Sequence, residues 1–271
     1  MRLTQAMLVI ASLAWLLLSF ALNMDVVEGS LAAVRIFGFD TTPTDGVFNE
    51  DTGEWMSQAL SLDKFMIGIN TFVFGAAYFL GTLLGLFATM PLINGFLEYG
   101  RIDLLLSKPL SRPRLLAGHL VGVWLTVLVL SSYLVGGVWL SLSFKTGVWM
   151  PMFLMAIPII TVMFAVMYAV ILSVSIITRS SGLGLVITYG LIFFSIVLAS
   201  HNQIVPVLSN TNAAIFMAFY HVLPNFIEVV GVQAQLVEGT VVTSWYPFIS
   251  SLLFGFVTYG IGFFWFSRRD F

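Results

Sequence analysis

Glu98-Tyr99-Gly100-Arg101-Ile102-Asp103-Leu104-Leu105-Leu106-Ser107-Lys108-Pro109-Leu110-Ser111-Arg112-Pro113-Arg114 separates two long apolar stretches and holds four of the eleven basic residues of the chain. Tyr99, Ile102, Leu105 and Leu106 recur at helical spacing and predict one apolar face of a short amphipathic helix. Glu98 and Arg101, three residues apart, can pair on its surface. Pro109 disfavours helical geometry at Lys108, so this helix is expected over about Leu97 to Ser107. Ser111 can then cap a second helix, with Pro113 tolerated in its first turn. A small charged helix between two apolar runs is a handle for something in the aqueous phase.

The surrounding composition sets the solvent. Of 271 residues, 59% are hydrophobic and 9% charged, with a mean hydropathy of +1.01. A water-soluble domain of this length needs more charge to cover its surface, so the chain reads as an integral membrane protein. Its apolar runs are continuous rather than alternating, which excludes a transmembrane barrel and predicts an all-α bundle. Six runs approach the roughly 20 residues that cross a bilayer core: 6–22, 65–92, 115–142, 148–177, 183–200 and 247–266. The whole chain, 1–271, is expected to form one transmembrane domain with a charged segment at 97–114 and long loops at 23–64 and 201–246. Met1-Arg2 before the first run resembles a signal peptide, but no small-residue cleavage site follows, and the run is read as a retained span.

Orientation follows from the basic residues. With both termini cytosolic, Arg2, Arg101, Lys108, Arg112, Arg114, Arg179, Arg268 and Arg269 lie inside and Arg35, Lys64 and Lys145 outside. The opposite orientation reverses that bias. In the loop 23–64, Leu31 to Phe39 is apolar enough to lie on the membrane surface, and Thr41 to Gly53 is rich in turn residues. In the loop 201–246, the apolar piece Ala213 to Val230 is interrupted by His221, Pro224, Asn225 and Glu228. It reads as one or two re-entrant or interfacial helices broken at Pro224, because a full seventh crossing would place Arg268 and Arg269 outside.

Several kinds of chemistry are missing. No Cys is present, so disulfides, thiolate metal sites and cysteine catalysis are excluded. No span carries a charge in its central stretch, which argues against ion-coupled carriers and proton relays. The three lysines follow Asp63, Ser107 and Phe144, none in a phosphate-binding Gly-Lys-Ser/Thr loop, so energy from a nucleotide must come through another chain. His119, His201 and His221 lack zinc-helix spacing and read as hydrogen-bonded interfacial residues, with no metal site. Gly81/Gly85 and Gly118/Gly122 form small-xxx-small pairs that allow close helix approach, within a subunit or between two. Asn70, Thr71, Asn94, Ser131, Ser132, Thr161, Ser173 and Ser175 are polar positions inside spans, read as helix–helix glue before a polar cleft.

The quoted segment also carries a family resemblance. Glu98, Gly100, Asp103 and the run Leu104-Leu105-Leu106-Ser107-Lys108-Pro109-Leu110-Ser111-Arg112, followed by Leu115-Leu116-Ala117-Gly118, resembles the coupling-helix region of type-2 ABC transporter permeases. Leu172 to Ser180 is similar to the Ser-rich end of that family's fourth span, Leu223-Pro224-Asn225-Phe226 to a motif before its last span, and Phe266-Ser267-Arg268-Arg269-Asp270-Phe271 to its terminal pattern. The nearest branch contains the permease of nitrous oxide reductase maturation and the gliding-associated permeases.

The resemblance implies six transmembrane helices per subunit in a prokaryotic cytoplasmic membrane. It also implies a homodimer with two copies of an ATPase subunit that bind ATP and Mg, while this chain holds no cofactor and no catalytic residue. Glu98, Arg101, Asp103, Ser107, Lys108 and Arg112 would contact the ATPase, and Pro224, Asn225 and Phe226 would belong to re-entrant helices at an outer gate. The long acidic loop 23–64 departs from compact members and raises an extracytoplasmic partner besides membrane lipid; nothing points to nucleic acid. Two rivals remain: a non-transporting scaffold or assembly factor working through its outer loops, and a membrane enzyme, which would need titratable groups converging near His221 and Glu228.

Overall fold

A computed structural model describes residues 5, 8, 9, 11–13, 15, 16, 20, 22–27, 30–36, 39, 40, 47–49, 54–56, 62–97 and 112–268. The described residues between 5 and 20 are all helical, and five long apolar helices follow, each able to cross a membrane by length and composition. These are α1 (Leu62–Leu97), α2 (Arg112–Thr146), α3 (Ala156–Thr178), α4 (Ser181–Ala199) and α8 (Tyr246–Arg268). Between α4 and α8 lie the short α5 (His201–Ile204), α6 (Asn210–Val222) and α7 (Glu228–Glu238). Of the span expected at 6–22, residues 8, 9, 11–13, 15, 16 and 20 are described and helical, Leu22 begins a strand, and the others lie outside the described residues.

The embedded part is helical, as expected from its continuous apolar runs. The loop 23–64 adds short strands outside the helical bundle. There β1 (Leu22–Val27), β2 (Ser30–Ile36) and β3 (Phe39–Asp40) form an antiparallel sheet, and β4 (Val47–Asn49) pairs with β5 (Glu54–Met56). Val27 pairs with Ser30 at the end of the β1–β2 ladder. Most of the stretch Leu31 to Phe39, expected to lie along the membrane, is the central strand of that sheet.

Helix α3 is the axis of the bundle. Its most apolar window is 78% buried, against 17–39% for the other spans. A helix apolar all round has no face suited to water and belongs in the middle. Pro151–Met155 leads into it as a 3-10 turn, and Arg179, in the left-handed conformation (φ 60°), ends it. Ser180 Oγ then accepts from Leu183 N at 3.3 Å and caps α4, which makes the turn expected at Thr178–Gly182. At the opposite face Gly147 (φ 72°) turns α2 toward α3.

Packing on α3 is closest where glycine replaces a side chain. A methyl group at Gly255 of α8 would sit 2.9 Å from Val166 Cγ2, and one at Gly262 only 2.6 Å from Ser173 Oγ. On α4, Gly184 backs directly onto Ile171 O, 2.7 Å from where its Cβ would be. The small-xxx-small pairs singled out from sequence do otherwise: Gly81, Gly118 and Gly122 have nothing within 4 Å. That pattern has no phase relative to the core, so it marks small residues without saying which way they face.

Polar side chains within the spans mostly act as glue. Ser173 donates to Thr258 O at 2.8 Å, Ser131 and Thr161 hydroxyls meet at 3.2 Å, and His119 Nε2 lies 2.9 Å from the Tyr168 hydroxyl. Tyr259 donates to Ala165 O at 2.7 Å and accepts from Trp124 Nε1 at 3.2 Å, tying α2, α3 and α8 together. Tyr259→Phe removes both bonds and is expected to lower stability by about 1 kcal/mol, the scale of interhelical bonds in membranes, read as a lower Tm in detergent.

Candidate functional site at the Pro224–Phe226 junction

Of the positions expected to meet an ATPase, Glu98, Arg101, Asp103, Ser107 and Lys108 lie outside the described residues. Arg112 is the first residue of α2. Helix α1 continues unbroken by any turn to Leu97, with Pro91 near its end. The other expected site, Pro224, Asn225 and Phe226, is described in full.

The local cause is Pro224. It pushes Leu223 into extended geometry (φ −87°, ψ 158°), so α6 stops at Val222. Glu228 then opens α7 with a negative charge in its first turn, where the helix dipole favours one. Four residues of non-helical backbone and Ile227 therefore sit between two helices, inside the protein. Backbone groups at such a place must find partners other than water.

They find them on three different spans. Asn225 N donates to Ser251 Oγ of α8 at 3.0 Å, and Ile227 N to Ser195 Oγ of α4 at 3.0 Å. Phe226 O accepts from the Tyr78 hydroxyl of α1 at 2.7 Å. The Phe226 ring stacks on Tyr78 with centroids 4.3 Å apart, and both side chains are fully buried. Asn225 Nδ2 adds bonds to Tyr220 O and Ser250 Oγ, both at 3.2 Å. Ser195 lies four residues before the end of α4, and Ser251 five after the start of α8, so the junction is lodged about a turn and a half inside those ends.

A second layer holds the mouth of this hairpin. Tyr220 donates to Glu228 Oε2 at 2.9 Å, linking the last turn of α6 to the first of α7. Burial, and then the bond to and charge of Glu228, raise the Tyr220 phenol well above its ordinary value, so it stays a donor. His201 Nδ1 lies 3.0 Å from Glu228 Oε1 without the alignment of a hydrogen bond. His221 Nδ1 bonds the Tyr246 hydroxyl, and Tyr246 stacks on Tyr220 at 5.7 Å.

The groups named for a membrane enzyme, His221 and Glu228, do come together here with His201, Tyr220 and Tyr246. Among the described residues, however, neither imidazole is bonded to a Ser or Thr hydroxyl, and no cluster of three or more His, Asp or Glu could hold a metal. The bonds of the junction fasten a broken helix pair to α1, α4 and α8.

Sequence reading located the break but missed Tyr78, Ser195, Ser250 and Ser251. The two serines after Pro247 were a visible signal, being polar residues at the mouth of an apolar run. Tyr78, one aromatic among many in its span, carried none.

No curated protein and no solved structure matches the sequence. The family described as ABC-2 family transporter protein does match, over residues 1–271. With several apolar helices able to cross a membrane and a match over its whole length, the chain belongs to the ABC-2 family of transporter permeases.

Proposed function

We propose that the chain is the transmembrane permease subunit of an ATP-driven exporter or mechanotransmission complex, energised by a separate ATPase through the segment 97–114. ABC-2 permeases work with ABC ATPase subunits. One observation carries the specific reading. The Pro224–Phe226 junction is bonded to Tyr78 of α1, and α1 runs as one helix from there to Leu97, where the charged segment begins. Force applied at Glu98, Arg101, Asp103, Ser107 or Lys108 would thus reach the hairpin through a single element, while Arg112 opens α2.

In this reading ATP and Mg sit on two copies of the ATPase, the permease works as a homodimer, and both termini are cytosolic in a prokaryotic cytoplasmic membrane. The distribution of basic residues supports the orientation. Consecutive described spans reverse direction, which gathers Arg114, Arg179 and Arg268 at one end of the bundle and Lys64 and Lys145 at the other. The nitrous-oxide-reductase-maturation or gliding-associated branch remains the reading of the coupling motif.

Co-expression with the ATPase encoded beside it is expected to yield a stable complex, and the purified permease alone to hydrolyse no ATP. Arg101→Glu or Asp103→Arg should leave that complex hydrolysing ATP while transport falls to background. Normal coupling in both variants, or failure to co-purify with any ATPase, removes the proposal. The scaffold reading is favoured only by the antiparallel strands between 22 and 56, which offer an ordered surface to an extracytoplasmic protein. Unchanged function after charge reversal at Arg101 would select it.

A further inference from the structure

At the end of the bundle away from the junction, Ile177 of α3 and Phe264, Trp265 and Arg268 of α8 line a cleft of about 560 Å³. The Arg268 guanidinium lies over the Phe264 ring, 4.2 Å from its centroid. Among the described residues no carboxylate pairs with it. A guanidinium held by its face leaves its N–H edge free, and that edge matches the oxygens of a phosphate in a bidentate manner.

The cleft opens onto an apolar track. Leu253, Phe256, Val257, Ile261, Phe264 and Trp265 recur three and four residues apart along α8 and are all exposed. From Trp265 to Phe256 the helix rises about 14 Å, close to the depth of one leaflet of a hydrocarbon core about 30 Å thick. Gly260 lies in this track with nothing within 4 Å of where a side chain would begin, so the track is grooved at its middle. An indole at Trp265, at the charged end of the run, is where the membrane–water interface favours it.

We propose that this cleft and groove form a binding site for an anionic phospholipid, its phosphate on Arg268 and one acyl chain along Gly260. The two halves of the site select together: the guanidinium favours a net negative headgroup, and the groove requires a chain. A zwitterionic lipid offers the same phosphate with an opposing ammonium, and free phosphate offers no chain. The inference rests on the chain spanning a membrane and is independent of ATPase coupling.

Native mass spectrometry of the full chain released from nanodiscs of equal phosphatidylglycerol and phosphatidylcholine tests it. The wild-type protein is expected to retain phosphatidylglycerol in preference. Arg268→Gln should cut that retention roughly tenfold or more, as loss of charge-assisted bonds implies. Gly260→Leu, whose Cβ would have nothing within 4 Å, should cut it as well by filling the groove. Equal retention of both lipids by the wild type, or undiminished phosphatidylglycerol in both variants, overturns the site. So does complete displacement of the lipid by inorganic phosphate. Because the chain has no Cys, a single Cys at Ile261 adds a further arm. Efficient cross-linking between two copies in native membranes would show this face covered by a second subunit and overturn the proposal; none is expected.

Discussion

Phe226→Ala is expected to cost about 3–5 kcal/mol, the range for truncating a fully buried aromatic residue, and to free the α6–α7 hairpin from the bundle. The ring is wholly enclosed and stacked on Tyr78, so its removal leaves a void that the surrounding spans cannot fill without moving. Tyr78→Phe separates packing from bonding. It keeps the stack but leaves Phe226 O without its donor, at about 1–3 kcal/mol for an unsatisfied buried acceptor. Both variants should lower the Tm in detergent, the alanine variant by more. A single Cys at Ser195 or Ser251 should then react with a water-soluble maleimide in Phe226→Ala and stay protected in a Cys-bearing protein with Phe226 intact. Protection in both would show that the hairpin does not depend on the junction. In the assembled complex, Phe226→Ala should also reduce transport while ATP hydrolysis persists.

The second large effect concerns the glycines of α4 and α8 that pack against α3. Gly184→Ala places a methyl group 2.7 Å from Ile171 O and 2.8 Å from Ser175 Oγ, and a backbone oxygen cannot rotate away. Helices α3 and α4 must separate, and the cost should reach or exceed the roughly 1–3 kcal/mol typical of overpacking. Gly262→Ala meets a different obstacle, the Ser173 hydroxyl at 2.6 Å, with Ser173 Cβ at an ordinary 3.5 Å. Adding Ser173→Ala should therefore restore most of the stability lost in Gly262→Ala, although Ser173 gives up its bond to Thr258 O. No second side-chain substitution removes the obstacle at Gly184. Gly190→Ala, on an open face of α4, serves as the comparison and should be neutral or slightly stabilising. Equal Tm values for the Gly184 and Gly190 variants would contradict the close approach of α3 and α4.

Much of this architecture can be read from residue order because membrane insertion is a crude filter. Length and continuity of apolar residues suffice to place α1, α2, α3, α4 and α8; most ends lie within five residues of the expected bounds, and α3 starts eight later, at Ala156, behind a 3-10 turn. The break at Pro224 is equally legible, since the ring acts on its own neighbour whatever surrounds it. Contacts between spans are another matter. Nothing along α1 distinguishes Tyr78 from the aromatic residues around it, and its role depends on a carbonyl 148 residues away. For the same reason the glycine pairs do not say which way they face: in a bilayer both faces of a span are apolar, so the periodicity that reveals an inner face in water is nearly lost. The β strands escape notice because Leu31 to Ile36 is mostly apolar with little alternation, a weak cue beside a long span.

Tyr78 is the seventeenth of the 36 residues of α1. If the helix rocks about its bond to the hairpin, the arms on either side are about 24 and 28 Å long at 1.5 Å per residue. A rotation of about 10° would move the two ends by roughly 4–5 Å in opposite directions, a ratio near one to one for a rod of these dimensions. Such a see-saw neither multiplies travel nor trades it for force. Any gain in this protein would have to come from elements hung on the far end, and the far end of α1 is where the strand-bearing segment joins it.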